Sequence, residues 1–101
     1  MLFDTTEMKS VISGNSTVVA VKQQVSSELD DEAVILHLKA GVYYGLDSVG
    51  ARIWALIQEP KTVDEIKDVI LSEYDVAADQ CKRDVLALLE ELAAEDLIEI
   101  K

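Results

Sequence analysis

The side chains best suited to covalent or acid–base chemistry are the single cysteine, Cys81, and the single histidine, His37. A catalytic thiol needs a basic neighbour that lowers its pKa, and nothing in the sequence places His37 beside Cys81. Cys81 falls at an apolar position of a helical pattern, so we expect a buried and inert thiol. One cysteine also leaves no internal disulfide and no multi-cysteine zinc site.

Carboxylates are abundant, with 20 Asp and Glu residues that include the adjacent pairs Asp30/Asp31 and Glu90/Glu91. Paired carboxylates catalyse only in a pocket that separates their pKa values, so on this acidic chain we interpret them as solvated charge. The acidic stretch 28–32 is too short for a calcium loop and lacks its central glycine. GxSxG, HExxH, P-loop and GxGxxG motifs are absent from the sequence. We therefore expect no catalytic activity, no cofactor and no metal site.

The charge balance argues against nucleic acid as a partner. Nine basic residues against 20 acidic ones give a formal charge of −11, whereas duplex binding relies on Lys and Arg that displace counterions from phosphates. The expected recognition helix carries Lys82 and Arg83 among acidic neighbours, so a winged-helix DNA-binding regulator is the least favoured alternative. Apolar runs are too short to span a bilayer and the N-terminus lacks a secretory signal pattern, so we expect a cytoplasmic protein.

The first half of the chain has the pattern of strands. Residues 1–16 show no sustained period and are expected to be a weakly ordered extension, followed by one domain over 17–101. β-Branched and alternating residues predict strands over 18–25, 33–38 and 42–46, joined by the acidic stretch 28–32 and a tight turn at 39–41. In the third strand, alternation places Val42, Tyr44 and Leu46 on one face and Tyr43 on the other.

The period then changes to that of helices. One helix is predicted from an N-cap at Ser48 to about Glu59-Pro60, and a second begins at the capping box of Thr62 and Glu65. A third is predicted over about 78–95, with an apolar stripe wider than simple packing requires, before a short apolar tail over 97–100. The order predicts an α+β fold, a winged helix-turn-helix in which a three-stranded antiparallel sheet is followed by three helices.

A three-stranded sheet leaves at least one edge with unpaired backbone groups that can receive an extended peptide. If the outer edge of the third strand lies beside the third helix, a peptide there would be buried between Tyr43, Tyr44 or Leu46 and the apolar helix face. The pattern supports an alternative equally well, in which Tyr44 and Leu46 are ordinary core residues and Tyr43 only packs across strands.

Three runs resemble the PqqD-like peptide chaperones, the recognition elements of ribosomally made and post-translationally modified peptides (RiPPs). They are YYGLDSVGARIWALI, KTVDEIKDVILSEYDV and RDVLALLEELAAEDLIE, within a match over about residues 17–100. The chain is most similar to the free-standing subunits that work with a separate leader peptidase in lasso-peptide biosynthesis. The alternative is a PqqD-type chaperone for a radical-SAM enzyme.

The resemblance implies that the leader of a precursor peptide pairs antiparallel with the third strand and fills a cleft against the third helix. It implies seven peptide-binding positions: Val42, Tyr43, Tyr44, Leu46, Asp84, Val85 and Leu88. Asp84 is expected to accept a hydrogen bond from the peptide or to hold a neighbouring side chain. The family pattern has glycine where the chain turns left-handed after the third helix, whereas this sequence has Asp96.

Overall fold

The computed structural model describes residues 12–29 and 32–101, and within them the chain forms six strands and three helices. The elements are β1 Thr17–Ala20, β2 Gln24–Leu29, β3 Glu32–His37, β4 Val42–Leu46, α1 Ser48–Leu56, β5 Lys61–Thr62, α2 Val63–Glu73, α3 Ala78–Ala94 and β6 Ile98–Ile100. The predicted α+β class, with a three-stranded antiparallel sheet followed by three helices, is confirmed.

The larger sheet has the order β2-β3-β4 and forms the wing. Ile35 on β3 lies opposite Tyr44, and Leu36 lies opposite Tyr43, so the two tyrosines extend from opposite faces of the sheet. The inner face carries the fully buried Ile35 and packs against α1. The turn between β3 and β4 contains Gly41 at φ 70°, a conformation that glycine adopts without steric cost.

A second small sheet, in the order β5-β1-β6, was not anticipated from the sequence. Residues 18–25 were predicted to form one strand, and this prediction is wrong because the chain breaks at 21–23 and its two parts enter different sheets. Val18 pairs with both Lys61 and Ile100, so β1 is defined by partners far away in the chain. Local alternation contains no information about such partners, which explains the error.

The helix ends follow local hydrogen bonding. The N-cap of α1 is Asp47 rather than the predicted Ser48, because the Asp47 carboxylate accepts the Gly50 N–H at 2.9 Å. This helix ends at Leu56, a few residues before the predicted stop. The capping box of α2 is confirmed, since Thr62 and Glu65 each accept the other's backbone N–H.

The end of α3 is left-handed, as expected from the family pattern, with Asp96 at φ 59°. The Leu97 N–H donates to Leu92 O at 2.9 Å and the Asp96 N–H donates to Ala93 O at 3.0 Å, which is a Schellman motif. The buried His37 ring joins this turn to the wing. Its Nδ1 accepts the Ala40 N–H, so its protonated Nε2 donates to Asp96 O at 3.1 Å.

One hydrophobic core lies between the wing and the three helices, and α3 contributes four buried residues at helical spacing: Cys81, Val85, Leu89 and Leu92. On the surface, Arg52 of α1 makes two hydrogen bonds to Glu73 of α2, at 2.8 and 2.9 Å. These contacts link α1 to α2 at the surface.

The predicted weakly ordered extension falls largely on residues 1–11, which lie outside the described residues. The part that is described, 12–16, contacts the start of α2. Ile12 is buried, and Gly14 O accepts the Asp64 N–H at 2.9 Å. Ser16 O accepts the Val63 N–H at 3.0 Å, so this segment satisfies two of the backbone donors at the helix N-terminus.

Candidate functional site

An open cleft of about 460 Å³ lies between β4 and α3. Its floor is apolar and is formed by Ile53 of α1, Ile70 of α2 and Val85 of α3, all of which are buried. Carboxylates of Asp47, Asp84 and Glu91 also line it, and all three residues are exposed. A concave apolar surface with a few polar groups is typical of a ligand site.

Five of the seven residues that were predicted to contact a peptide line this cleft: Tyr44, Leu46, Asp84, Val85 and Leu88. Leu46 and Val85 are buried and contribute floor, whereas Tyr44 and Leu88 are half-buried and remain accessible. Val42 and Tyr43 do not line the cleft. Val42 is 48% exposed near the wing turn, and Tyr43 is 69% exposed on the outer face of the sheet.

The two walls of the cleft are joined by a hydrogen bond in which the Tyr44 hydroxyl donates to the Glu91 carboxylate. Burial and the neighbouring negative charge of Glu91 raise the pKa of Tyr44 to about 12. The phenol is therefore protonated at neutral pH and remains a donor. The cleft is open with this bond in place, so the bond links β4 to α3 without closing the site.

Asp84 holds a neighbouring side chain, one of its two expected roles. Its Oδ1 accepts the Gln80 amide at 2.9 Å, and Gln80 in turn accepts from Arg83 Nη2 at 2.8 Å. A carboxylate has about four lone-pair positions, so the bond to Gln80 leaves Asp84 able to accept from a ligand as well.

The hydrogen-bond alternation along β3 determines which backbone groups of β4 face outward. Just beyond the β2–β3 ladder, the Leu38 N–H donates to Gln23 O at 3.1 Å, so these opposite residues are a hydrogen-bonded pair. In an antiparallel ladder such pairs alternate with non-bonded ones. Even-numbered residues of β3 therefore bond to β2, and odd-numbered residues bond to β4.

On β4 the residues opposite those odd-numbered positions are Val42, Tyr44 and Leu46, which use their backbone groups on β3. Tyr43 and Gly45 then direct their N–H and C=O groups away from β3. Within residues 12–29 and 32–101, β4 pairs with no other strand. The cleft therefore runs beside a strand edge with four unpaired backbone groups, the arrangement that accepts an additional strand.

Several cleft residues were not predicted from the sequence: Gly45, Asp47, Val49, Gly50, Ile53, Ile70, Tyr74, Val76, Cys81, Ala87 and Glu91. A signal existed for Glu91, because it follows Leu88 by three residues and Asp84 by seven, which puts all three on one helix face. Residues of α1 and α2 gave no such signal, since they reach the cleft only through tertiary packing.

Cys81 is 2% exposed and belongs to the core, as expected. Burial, and then the charge of Asp84, raise the pKa of its thiol, which keeps it protonated and unreactive. The part of the chain that the structure describes contains no cluster of side chains suited to a metal ion. None of the helices in that part is long and apolar enough to cross a membrane.

The model of one protein family, coenzyme PQQ synthesis protein D (PqqD), matches residues 32–98. This range contains β3, β4 and all three helices, and therefore both walls of the cleft. A search of curated protein sequences finds no significant match.

Three solved structures are similar over most of the chain. TbiB1 in complex with the TbiA(beta) leader peptide is 44% identical with a TM-score of 0.75, covering 80% of this chain and 94% of TbiB1. A lasso peptide synthetase B1 complexed with the leader peptide is 21% identical with a TM-score of 0.71, covering 81% and 96%. The PqqD truncation of Methylobacterium extorquens PqqCD, a stand-alone RiPP recognition element, is 19% identical with a TM-score of 0.74, covering 90% and 97%. The last two show the shared fold.

Proposed function

The chain belongs to the PqqD family of RiPP recognition elements, and we propose that it is a non-catalytic protein that binds the leader segment of a precursor peptide. The observation that carries the proposal is the apolar cleft beside the unpaired edge of β4. TbiB1, which is 44% identical, and a lasso peptide synthetase B1 are both solved with a leader peptide, and together they favour a lasso-type leader over a substrate of quinone-cofactor synthesis.

The proposed binding mode is strand addition. An extended peptide antiparallel to β4 can bond to the outward backbone groups of Tyr43 and Gly45, which supplies affinity without regard to sequence. Alternate side chains of the added strand then point into the cleft, where Leu46, Val85 and Leu88 offer apolar contact. Sequence preference comes from how those side chains fit.

We propose a separate processing enzyme, a leader peptidase of the lasso type, as the second partner in the cytoplasm. By binding the leader and the enzyme together, the protein would raise the effective concentration of the cleavage region. A radical-SAM enzyme is the alternative partner, which the family match to PqqD supports. The net charge of −11 would speed encounter with basic segments of either partner.

A titration tests the proposal directly. The TbiA(beta) leader and the leader encoded beside this chain's own gene are each labelled and followed by fluorescence anisotropy, alongside a random duplex DNA at low salt. We expect saturable binding of a leader in the micromolar range or tighter, and no binding of the duplex. Binding of the duplex alone would instead identify a DNA-binding regulator, and binding of neither probe would refute the proposal.

Amide hydrogen exchange tests the binding mode. In the free protein the amides of Tyr43 and Gly45 face the open edge and should exchange rapidly, while those of Tyr44 and Leu46 are bonded to β3. Saturating leader should slow exchange at Tyr43 and Gly45 by at least about tenfold. If a bound leader leaves both amides unprotected, the peptide occupies the cleft without adding a strand to β4.

A further inference from the structure

Gly45 is a glycine that the fold itself does not require. Its φ is not positive, unlike that of Gly41, and a Cβ built on Gly45 meets no atom within 4 Å. By contrast, a Cβ on Gly50 would come within 3.1 Å of the Leu46 side chain. Glycine in a strand interior costs about 0.5–1 kcal/mol of stability. Within the described residues, no atom lies close enough to exclude a side chain at Gly45.

The missing side chain leaves a gap on the outer face of the sheet, the face opposite the cleft. Gly45 lies there beside Tyr43, two residues away on the same strand, and across from Val34 of β3. Leu36 lies across from Tyr43, and both Val34 and Leu36 are half-buried. We call this gap, formed by Val34, Leu36, Tyr43 and Gly45, the outer notch.

The outer notch lies at the same strand edge as the cleft. Because Gly45 directs its N–H and C=O outward, a residue of an added strand would pair with it directly, and its side chain would lie on the outer face. The two neighbours of that residue in the peptide would point to the opposite face, into the cleft.

The geometry points to an outer-face subsite at Gly45 that binds a large aromatic side chain of the added strand. The protein would then contact successive peptide residues on opposite faces of the sheet, one in the outer notch and its two neighbours in the cleft. This inference rests on the proposed strand addition. An aromatic ring opposite a strand glycine covers the exposed backbone, a pairing that stabilises edge glycines. The exposed ring of Tyr43 forms one wall of the notch and can pack against the incoming ring.

The test is a specificity ratio. Each position of the TbiA(beta) leader is replaced in turn by Ala and by Phe, and each peptide is titrated against the wild-type protein and Gly45→Val. At one position we expect Phe to bind wild-type protein about fivefold more tightly than Ala. In Gly45→Val the valine fills the outer notch, so the Phe and Ala peptides at that position should bind with affinities within about twofold of each other. At peptide positions that face the cleft, the ratio of Phe to Ala affinity should be the same as for the wild-type protein.

Ser27→Val is the matched control. Ser27 is exposed on the same face and in the same cross-strand row, opposite Val34, but on the far strand β2. Ser27→Val should leave the ratio of Phe to Ala affinity unchanged at every peptide position. Thermal unfolding of Gly45→Val should be unchanged or raised, because the site has room and valine favours strands. Gly45→Ala, with a smaller side chain, provides a second variant that should lower the ratio partway.

Two results separate this inference from the proposed function. If the leader binds and protects the Tyr43 and Gly45 amides, yet Gly45→Val leaves every Phe-to-Ala ratio as in wild type, the outer subsite is refuted and the recognition role stands. If wild-type protein binds no leader at all, both fail together. A lowered unfolding temperature in both Gly45 variants, with no change in any ratio, would assign the glycine a structural role instead.

Discussion

A pair of substitutions at adjacent positions of α3 separates the cleft from the core. Leu88 lines the cleft and is half-buried, whereas Leu89 is 0% exposed in the core. We compare Leu88→Asp with Leu89→Asp, which introduce the same carboxylate one residue apart. Only the first should leave a folded protein that has lost peptide binding.

The expected stability change differs because water reaches only one of the two sites. At position 88 water in the open cleft can hydrate the carboxylate. Full burial of a leucine side chain stabilises a protein by about 1.5–3 kcal/mol, and the half-buried Leu88 contributes only part of that. The lower helix propensity of aspartate adds a small further loss of stability. We expect Leu88→Asp to lower the free energy of unfolding by about 1–2 kcal/mol. Leu89→Asp buries an unpaired charge and should cost more than about 4 kcal/mol, comparable to the whole stability of a small domain.

Peptide binding should respond in the opposite order. In Leu88→Asp a bound peptide would cover the introduced carboxylate, which then loses hydration without gaining a partner. A penalty of at least about 2 kcal/mol corresponds to a Kd weakened about thirtyfold. The assays are thermal unfolding by circular dichroism and anisotropy titration with the labelled TbiA(beta) leader. Ala55→Asp, on the exposed face of α1 away from the cleft, adds the same charge and should change neither measurement much.

Two outcomes would refute the reasoning. If Leu88→Asp unfolds the protein as Leu89→Asp does, Leu88 is a core residue and the cleft is not a binding surface. If Leu88→Asp stays folded and binds the leader as tightly as wild type, the peptide lies elsewhere.

Three further predictions concern the turn after α3, the bond across the cleft and the thiol beneath it. Asp96→Gly should raise the free energy of unfolding by about 1 kcal/mol, because glycine adopts the φ of 59° without strain, and should leave leader binding unchanged; a lower unfolding temperature would contradict this. Because the pKa of Tyr44 is raised to about 12, the stability from its bond to Glu91 should be complete below pH 10 and lost as pH rises towards 12. Tyr44→Phe should abolish that part of the pH dependence, which is measured by urea unfolding of the wild-type protein and the variant across this pH range. If the free energy of unfolding changes with pH in the same way in both proteins, the hydrogen bond between Tyr44 and Glu91 does not contribute to stability. Cys81 should react slowly with a disulfide reagent and more slowly still with saturating leader, and equal rates with and without leader would place the peptide away from the cleft floor.

Most of the fold could be predicted because its elements carry local signals. The capping box of Thr62 and Glu65 marks the start of α2, and the four-residue spacing of Cys81, Val85 and Leu89 defines the buried face of α3. The small sheet could not be predicted in this way. Its strands β1, β5 and β6 are short, and their pairing depends on residues about 40 and 80 positions apart in the chain.

The candidate site could be predicted only in part, for a related reason. Residues on β4 and α3 were accessible through the resemblance and through strand alternation. However, Tyr43 and Tyr44 are adjacent in sequence and lie on opposite faces, so only Tyr44 reaches the cleft. The floor residues Ile53 and Ile70 have the ordinary pattern of core positions, and nothing local distinguishes a core residue that borders a cleft from one that does not.

The walls of the cleft are held in place before any peptide arrives, which bears on how affinity can arise from a small surface. β4 is fixed by its ladder to β3, and α3 is fixed at its far end where His37 of the wing bonds to Asp96 O. The bond from Tyr44 to Glu91 joins the two walls between these supports. A flexible leader loses conformational entropy when it becomes ordered, and this loss weakens binding. If the site itself does not have to reorganise, no second cost is subtracted from the free energy of the contacts, and the affinity is higher. Preformed walls therefore raise the affinity of this protein for a peptide without additional contact area.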